Sequence, residues 1–416
     1  MNTTANAPSC LLLGYSGFSN TGSEVRIITI IEDIRACFGD AATITVATSA
    51  PEKTARILPK RPNVTVARFP LLFPLRIFQL VSRHDITFLV EGSTFQQNWS
   101  SALLYFFLWG AWCAKVTGKR CVAYAVDAGH LSRFNRFLTR RVCERIDLII
   151  TRTDRARQRL VNLGVRRPII ANTDTAFTFL LGDGAPAQAA ATPARKHVGI
   201  APIEFHQWPV RVRPTGRKDE CFRWPYYYTW NEERRQKSRR VVNAFAALAT
   251  ECIEVHDLDV VLIAMEELDV PVCERILAGV DARLRPRIRT AYSTDVTPYE
   301  MVPLLRGLDY LVTSRYHACV LSMAAGVPQM AVSHDDRLES IYGELGVGND
   351  FLLDYRDEQL DSKLRTTFAR LLDRGSEMSG ALRRAHDSHY LPKCRQNRKD
   401  LNEWAAFGRV GELSRA

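Results

Sequence analysis

An arginine and a histidine two positions apart are the pair in this 416-residue chain best suited to handle an anion and a proton. They lie in Val312-Thr313-Ser314-Arg315-Tyr316-His317-Ala318-Cys319, followed by Ala324-Ala325-Gly326-Val327-Pro328. A strand pattern ends at Thr313 and a helical pattern begins near Ser314. Arg315 and His317 would project from the first helical turn, beside N–H groups that lack intrahelical partners and the positive end of the dipole. Arginine offers a fork that matches phosphate or carboxylate, and histidine moves a proton near neutral pH. Two other loops also follow strands. Gly14-Tyr15-Ser16-Gly17-Phe18-Ser19-Asn20-Thr21-Gly22-Ser23-Glu24 opens a helix, and its glycines let backbone N–H groups face an anion. It is neither a Walker A loop nor GxGxxG. Val90-Glu91-Gly92-Ser93-Thr94-Phe95-Gln96-Gln97-Asn98 places consecutive polar groups at a strand's carboxyl end, which suits a hydroxyl-rich ligand. Each motif also has a plain structural reading: a glycine-rich turn without ligand, Ser93 as an N-cap, and an Arg-x-His that only anchors a helix start.

The elements that must hold these loops follow from periodicity. Strands are predicted at 10–15, 43–47, 64–67, 85–90, 121–126 and 147–151, and helices over 25–38, 100–116, 132–146 and 154–163. An Ala/Pro/Gly stretch over 182–195 reads as a linker. The alternation then resumes with strands at 197–203, 259–264, 310–313 and 329–333, and helices through 241–249, 316–325 and 335–345. Such alternation implies βαβ units and mainly parallel sheets. The fold class is α/β, with two doubly wound, Rossmann-like domains. They are expected over 1–181 and 197–392, joined by a linker over 182–196 and followed by a tail helix over 393–416. The C-terminal stretch from 359 is expected to cross back onto the first domain. Ligands in such sheets sit at the carboxyl ends of strands, so the expected site is the cleft between the domains.

Composition narrows the function classes. Apolar residues make up 46% and charged residues 24%, which excludes a disordered chain, a fibrous repeat and a coiled coil. The longest apolar run, 102–114, falls short of the ~20 residues of a spanning helix. The polar start, Met1 to Ser9, lacks a basic, apolar leader, so a cytoplasmic protein with ten reduced, mostly buried thiols is expected. The sequons at Asn63 and Asn98 then carry no glycan. The net charge is +11, with arginines clustered over 133–159 and again over 211–240, where Trp224, Tyr226, Tyr227, Tyr228 and Trp230 are interleaved. A solvated helix face, an anionic membrane surface or a phosphorylated substrate would each account for them. No helix-turn-helix, RNP or KH pattern accompanies them, so no nucleic-acid partner is expected. His386-x-x-His389 has ligand-like spacing but is expected on a solvated face.

Taken in order, the motifs resemble those of the polysaccharide pyruvyl transferase family. That family carries a GxxGxxNxGDE-like first loop, a GGG-like second loop, a GxGP-like turn, an ARDxxS helix start and an SxRxH element followed by GVP and a YDPK-like stretch. The counterparts here are Gly14 to Glu24, Glu91 to Gln97, Asp127-Ala128-Gly129-His130, Thr151-Arg152-Thr153-Asp154 and Ser314 to His317. After these come Gly326-Val327-Pro328 and Ser333-His334-Asp335-Asp336-Arg337. Asn172 to Phe177 is similar to a DPAF element, and Gly199-Ile200-Ala201-Pro202-Ile203 to the strand that opens the second domain. The ordered set covers roughly residues 10 to 350. Ser23 stands where the family has Asp, only Gly92 remains of the GGG stretch, and His334 and Arg337 replace the tyrosine and lysine of YDPK.

The resemblance implies a GT-B-like architecture and transfer of pyruvate from phosphoenolpyruvate onto a sugar of a cell-surface or exopolysaccharide precursor, as a ketal. It implies donor contacts from Ser314, Arg315, Arg337 and Pro202, and acceptor contacts from Asn20, Gly22, Gly92, Ser93 and Gln96. His317 would be the acid, and Glu24 the carboxylate that activates a hydroxyl, with Asp127 second. No cofactor and no metal is expected; phosphoenolpyruvate is a co-substrate. The acceptor is a sugar or lipid-linked oligosaccharide, which adds an expected peripheral contact with the inner membrane face. Two other classes stay open. One is a GT-B glycosyltransferase using a nucleotide sugar, for which Glu266-Glu267 after a strand is the one hint. The other is a non-catalytic binder of anionic polymers.

Overall fold

Short β-branched runs become strands, and each is followed by a helix that returns over the sheet. A computed structural model describes residues 7–97, 101–181, 195–208, 210–334 and 336–407. Most of the expected linker (182–194), the sequon at Asn98 and Asp335 lie outside these residues. The first half runs β1 (Ser9–Leu13), α1 (Thr21–Phe38), β2 (Thr43–Thr48), α2 (Pro51–Ile57), β3 (Val64–Arg68), α3 (Pro74–Ser82) and β4 (Ile86–Leu89). It continues α4 (Ser101–Val116), β5 (Arg120–Val126), α5 (Arg133–Cys143), β6 (Leu148–Thr151), α6 (Asp154–Asn162) and β7 (Ile169–Ala171). The seven strands are all parallel, in the order β3-β2-β1-β4-β5-β6-β7.

The second half runs β8 (His197–Ala201), β9 (Val210–Val212), β10 (Cys221–Arg223), β11 (Tyr226–Tyr228), α7 (Glu232–Glu254), β12 (Asp259–Ala264), α8 (Val270–Gly279) and β13 (Ile288–Tyr292). Then come α9 (Pro298–Arg306), β14 (Tyr310–Thr313), α10 (Tyr316–Met323), β15 (Gln329–Ser333), α11 (Asp336–Glu344), α12 (Gly348–Phe351), β16 (Leu352–Asp354), α13 (Leu360–Ala385) and α14 (Leu391–Phe407). Six parallel strands form the order β13-β12-β8-β14-β15-β16. Several elements were not expected: α2, α3, α8, α9, β7, β13, β16 and the small sheet β10-β11-β9. Proline in the first helical turn of α2, α3, α8 and α9 is the unread signal, since its fixed φ suits that position. The strands β7 and β16 have three residues each, too few for a period to show.

The chain divides into two compact units, Met1–Phe18 with Ser23–Phe179 and Tyr390–Ala416, and Ser19–Gly22 with Leu180–His389. In the first, α3 to α6 bury Ile77, Phe107, Val142 and Leu160 against one face of the sheet. α1, α2 and α14 bury Ile30, Ile57 and Trp404 against the other. The last helix thus belongs to the first unit, and Phe177 stacks on Tyr390 there with ring centroids 4.8 Å apart. Eight of the ten cysteines are buried thiols. Among the described residues no helix is long and apolar enough to cross a membrane.

One expectation needs correction. His386 is buried, not solvated, and its Nδ1 meets Asp387 Oδ1 at 2.7 Å. The basic, aromatic 211–240 segment is a folded subdomain. Trp208, Phe222 and Tyr228 pack on one another at 5.7–6.0 Å, Arg235 pairs with Glu220, and Arg234 donates to the Trp208 carbonyl.

Candidate functional site

Both sheets reverse their strand order once, the first between β1 and β4 and the second between β8 and β14. At such a reversal the flanking loops leave in opposite directions and open a crevice at the strands' carboxyl ends. Three of the four loops at these two reversals are sequence motifs, 14–24 and 91–97 in the first sheet and 314–317 in the second, and the fourth, 202–206, opens with Pro202 and Ile203 at the end of the Gly199 to Ile203 element.

In the first unit, Glu24 lies in the first turn of α1 and is buried. Burial raises its carboxyl to about 7, against the opposing pull of Arg56 and Lys53. A carboxyl poised there can take or give a proton at neutral pH. Ser23 donates to Glu91 Oε2 at 3.1 Å, and the Tyr15 N–H reaches the same oxygen at 3.3 Å. The serine found in place of the family's aspartate therefore partners a carboxylate at the end of β4. Gly92 is needed for close approach, because a Cβ there would sit 2.4 Å from Arg152 Nη1. Gln96 packs over Gly129, and Ser93 is half-buried in the intervening turn.

Asp127 meets a different fate from the one expected. Its Oδ2 accepts from Arg152 Nε and Nη2 at 3.0 and 2.9 Å, and its Oδ1 accepts from the Ala128 N–H at 2.9 Å. Arg152 also donates to Asp174 at 3.0 Å, and Arg26 approaches Asp174 at 3.3 Å. Asp127 is thus one end of a buried chain of alternating charges, with both oxygens engaged. Arg152 and Asp174 were legible as motif letters but not as partners, since 22 residues separate them.

In the second unit, β14 ends at Thr313 and the Ser314 N–H donates to the Ala201 carbonyl at 2.8 Å. That bond sets Ser314 beside Pro202. Ser314 is fully buried, and no described residue hydrogen-bonds its hydroxyl. α10 begins at Tyr316, so Arg315 is its N-cap and not a first-turn residue. Arg315 points inward. Its Nε donates to Asp269 Oδ2 at 2.7 Å and its Nη1 meets Glu266 Oε2 at 3.0 Å. Burial works against its charge, but the two carboxylates outweigh that and raise its pKa. The guanidinium expected to face an anion is therefore held by protein carboxylates, and Glu266 is absorbed in the same contact.

His317 sits one residue into α10, half-buried, its ring 5.1 Å from Tyr316. Arg337 lies over the same tyrosine, with its guanidinium carbon 5.5 Å from the Tyr316 ring centroid. Gly22 and Thr21 belong to this unit by their contacts: the Thr21 N–H donates to the Met265 carbonyl at 2.9 Å. A Cβ on Gly22 would fall 2.0 Å from His317 Nδ1. Gly22 is thus glycine because His317 occupies the space. The structure sets Gly22 against His317, Ser314 against Ala201 next to Pro202 in the chain, and Arg337 over Tyr316, and separately joins Ser23, the neighbour of Glu24, to Glu91.

The polysaccharide pyruvyl transferase family model matches residues 20–336. No curated protein matches the chain significantly. Among solved structures, a candidate UDP-N-acetylglucosamine 2-epimerase from Listeria monocytogenes aligns with a TM-score of 0.61 at 13% identity, over 96% of each chain. Anabaena Alr3699/HepE, solved with UDP, gives 0.56 at 13% identity over 95% of this chain and 100% of that one. S. aureus MnaA, also solved with UDP, gives 0.59 at 11% identity over 96% of each. These likenesses show the fold, two doubly wound α/β domains of GT-B-like kind. The family match runs from Asn20 in the first motif loop to Asp336 beside Arg337, and so takes in the motif loops of both reversals: the chain belongs to the polysaccharide pyruvyl transferase family.

Proposed function

We propose that the protein moves the pyruvyl group of phosphoenolpyruvate onto two hydroxyls of a sugar, as a ketal, in the assembly of a cell-surface or exopolysaccharide precursor. The observation that carries the reading is the turn after β14, in a chain of this family. It combines a buried serine hydroxyl with no described partner, a histidine at a helix start and a neighbouring arginine. Such a turn suits a ligand that is anionic at two ends and needs one proton.

In this reading the second unit takes the donor. Arg337, the Ser314 hydroxyl and the N–H groups opening α10 hold its phosphate and carboxylate, with Pro202 shaping the wall. Arg315 is a positioning residue: tied to Asp269 and Glu266, it fixes where α10 begins. His317 protonates the donor's methylene carbon, which leaves an oxocarbenium-like centre. The acceptor is taken by Gly92, Ser93 and Gln96 of the first unit, together with Asn20 and Gly22 of the short segment that groups with the second. Glu24 removes the proton of the first sugar hydroxyl as its oxygen bonds to that centre. The second hydroxyl then closes the ketal, and the bond from carbon to the phosphate oxygen breaks. Phosphate leaves with the second hydroxyl's proton.

The solved neighbours that hold UDP keep a nucleotide-sugar transferase as a second reading. In this chain Glu266, the residue that reading would use, is bound to Arg315. The two readings separate on one assay. Phosphate release from phosphoenolpyruvate, stimulated by one member of a glycan panel, supports pyruvyl transfer; release of UDP from a nucleotide sugar with no use of phosphoenolpyruvate supports the other. We place the reaction in the cytoplasm at the inner face of the membrane, where a lipid-linked acceptor would be presented.

A further inference from the structure

α4 is apolar around its whole circumference, yet only part of it is covered. Leu104, Phe107 and Ala111 pack on the seven-stranded sheet, whereas Tyr105 and Trp112 are exposed, with Trp109 half-buried between them. A helix apolar all round is ordinarily enclosed. The outer stripe continues onto both neighbouring helices. Trp109 donates its indole N–H to the Pro74 carbonyl of α3 at 2.9 Å and stacks on Trp112 at 5.0 Å. Tyr105 donates its hydroxyl to Asn135 of α5 at 3.0 Å. At the start of α3, Leu72 and Leu75 are 85% and 70% exposed; at the start of α5, Phe134 and Phe137 are 64% and 58% exposed. All three helices pack into one core cluster on one face of the sheet, so their outer sides lie next to each other. Nine of the fifteen exposed large apolar side chains among the described residues fall within 71–137.

The same three helices carry Arg76, Lys115, Arg133, Arg136, Arg140 and Arg141 and not one Asp or Glu. Arg141 lies over the Phe137 ring at 5.3 Å, an arginine set on an exposed aromatic. Exposed apolar groups interleaved with cations mark a surface that meets a partner. A second copy of this chain, docked by the same face, would set six cations against six. An anionic lipid surface matches both features: leucine and aromatic side chains enter the interface while arginines meet headgroup charge.

We infer that the outer face of α3, α4 and α5 docks the protein on anionic bilayers, lying in the interface and not spanning it. This deepens the membrane location proposed above and moves it away from the 211–230 segment, where Phe222 and Tyr228 pack with Trp208, Tyr227 is buried, and Trp224 and Val212 are the exposed large apolar side chains. It rests on that location, but its test needs neither donor nor acceptor, so docking and pyruvyl transfer can fail separately.

The test is sedimentation of the full chain with vesicles of phosphatidylcholine alone or with added phosphatidylglycerol. The wild type is expected to pellet only with the anionic vesicles. A Leu72→Ser, Leu75→Ser, Phe134→Ser, Phe137→Ser variant and an Arg133→Glu, Arg141→Glu variant should each bind at least about tenfold more weakly. Their unfolding midpoints should be unchanged, because the altered side chains are exposed. An Arg211→Glu, Arg213→Glu variant should bind like the wild type. No binding by the wild type would overturn the assignment. So would full binding by the glutamate variant at Arg133 and Arg141, or loss of binding confined to the Arg211 variant. A wild-type dimer that the serine variant dissolves would also overturn it, making the face an interface between copies.

Discussion

Glu24 titrates near neutrality because burial penalises its charge more than Arg56 and Lys53 favour it. That has a stability consequence with a definite sign. The folded-state value, about 7, lies above the ordinary glutamate value of 4.5, so the folded state binds the extra proton. Its contribution is fully present below pH 4.5 and lost as pH rises through about 7. Glu24→Gln cannot lose it. The variant should therefore gain on the wild type between those pH values by up to about 3 kcal/mol. Denaturant unfolding at pH 5 and pH 8 measures the gap, and a gap independent of pH would show that Glu24 is not buried as described. If the same carboxyl activates the acceptor, the variant's turnover also loses the limb near pH 7. In the proposed reaction His317 supplies the other proton. His317→Gln should keep most phosphoenolpyruvate binding while turnover falls by about 10²–10⁴, the usual size of a general acid term. Loss of donor affinity with turnover preserved at saturation would make it a phosphate ligand instead.

At the scale of elements, the start of α10 and the ends of β5 and β6 are held by buried ion pairs. Arg152 joins Asp127 to Asp174, and its removal would leave Asp127 without a counter-charge and Asp174 with Arg26 alone. Arg152→Ala should cost about 3–5 kcal/mol, read in the unfolding of the first unit; a loss under 1 kcal/mol would mean water replaces the guanidinium there. Gly22→Ala is a sharper probe. In an ordinary helix the change stabilises by about 0.5–1 kcal/mol. Here the added Cβ meets the His317 ring, so turnover should fall with the fold intact. Strand-to-helix switches such as Val312 to Cys319 were plain in the sequence, because the mostly apolar run from Tyr310 to Thr313 gives way to the polar Ser314-Arg315 before a helical pattern. The partners were not. Arg315 reads as an anion ligand from its position, and only the fold brings Asp269, 46 residues away, onto its guanidinium. Asp127 reads as a base for the same reason and is spent on Arg152. Sequence spacing locates a loop; it says nothing of which buried charge needs a counter-charge.

At the scale of the whole molecule, two parallel sheets each reverse at the strands that carry the motif loops. The alternation of patterns foretold both sheets, and the last helix returns to the first unit as α14. What it did not foretell is the uncovered apolar stripe, because Ala102 to Ala114 reads as a core helix until the burial of each side is known. The fold is shared with proteins solved with UDP, so fold alone does not choose the donor. The proposal of phosphoenolpyruvate as donor rests on the turn after β14 in a chain of this family. The most direct measurement is acceptor-dependent phosphate release from phosphoenolpyruvate, made on the wild type, Arg337→Ala and His317→Gln. Pyruvyl transfer at this turn requires release by the wild type when a suitable glycan is present, weaker donor binding in Arg337→Ala and slowed turnover in His317→Gln. Wild-type release left unchanged in both variants would contradict it.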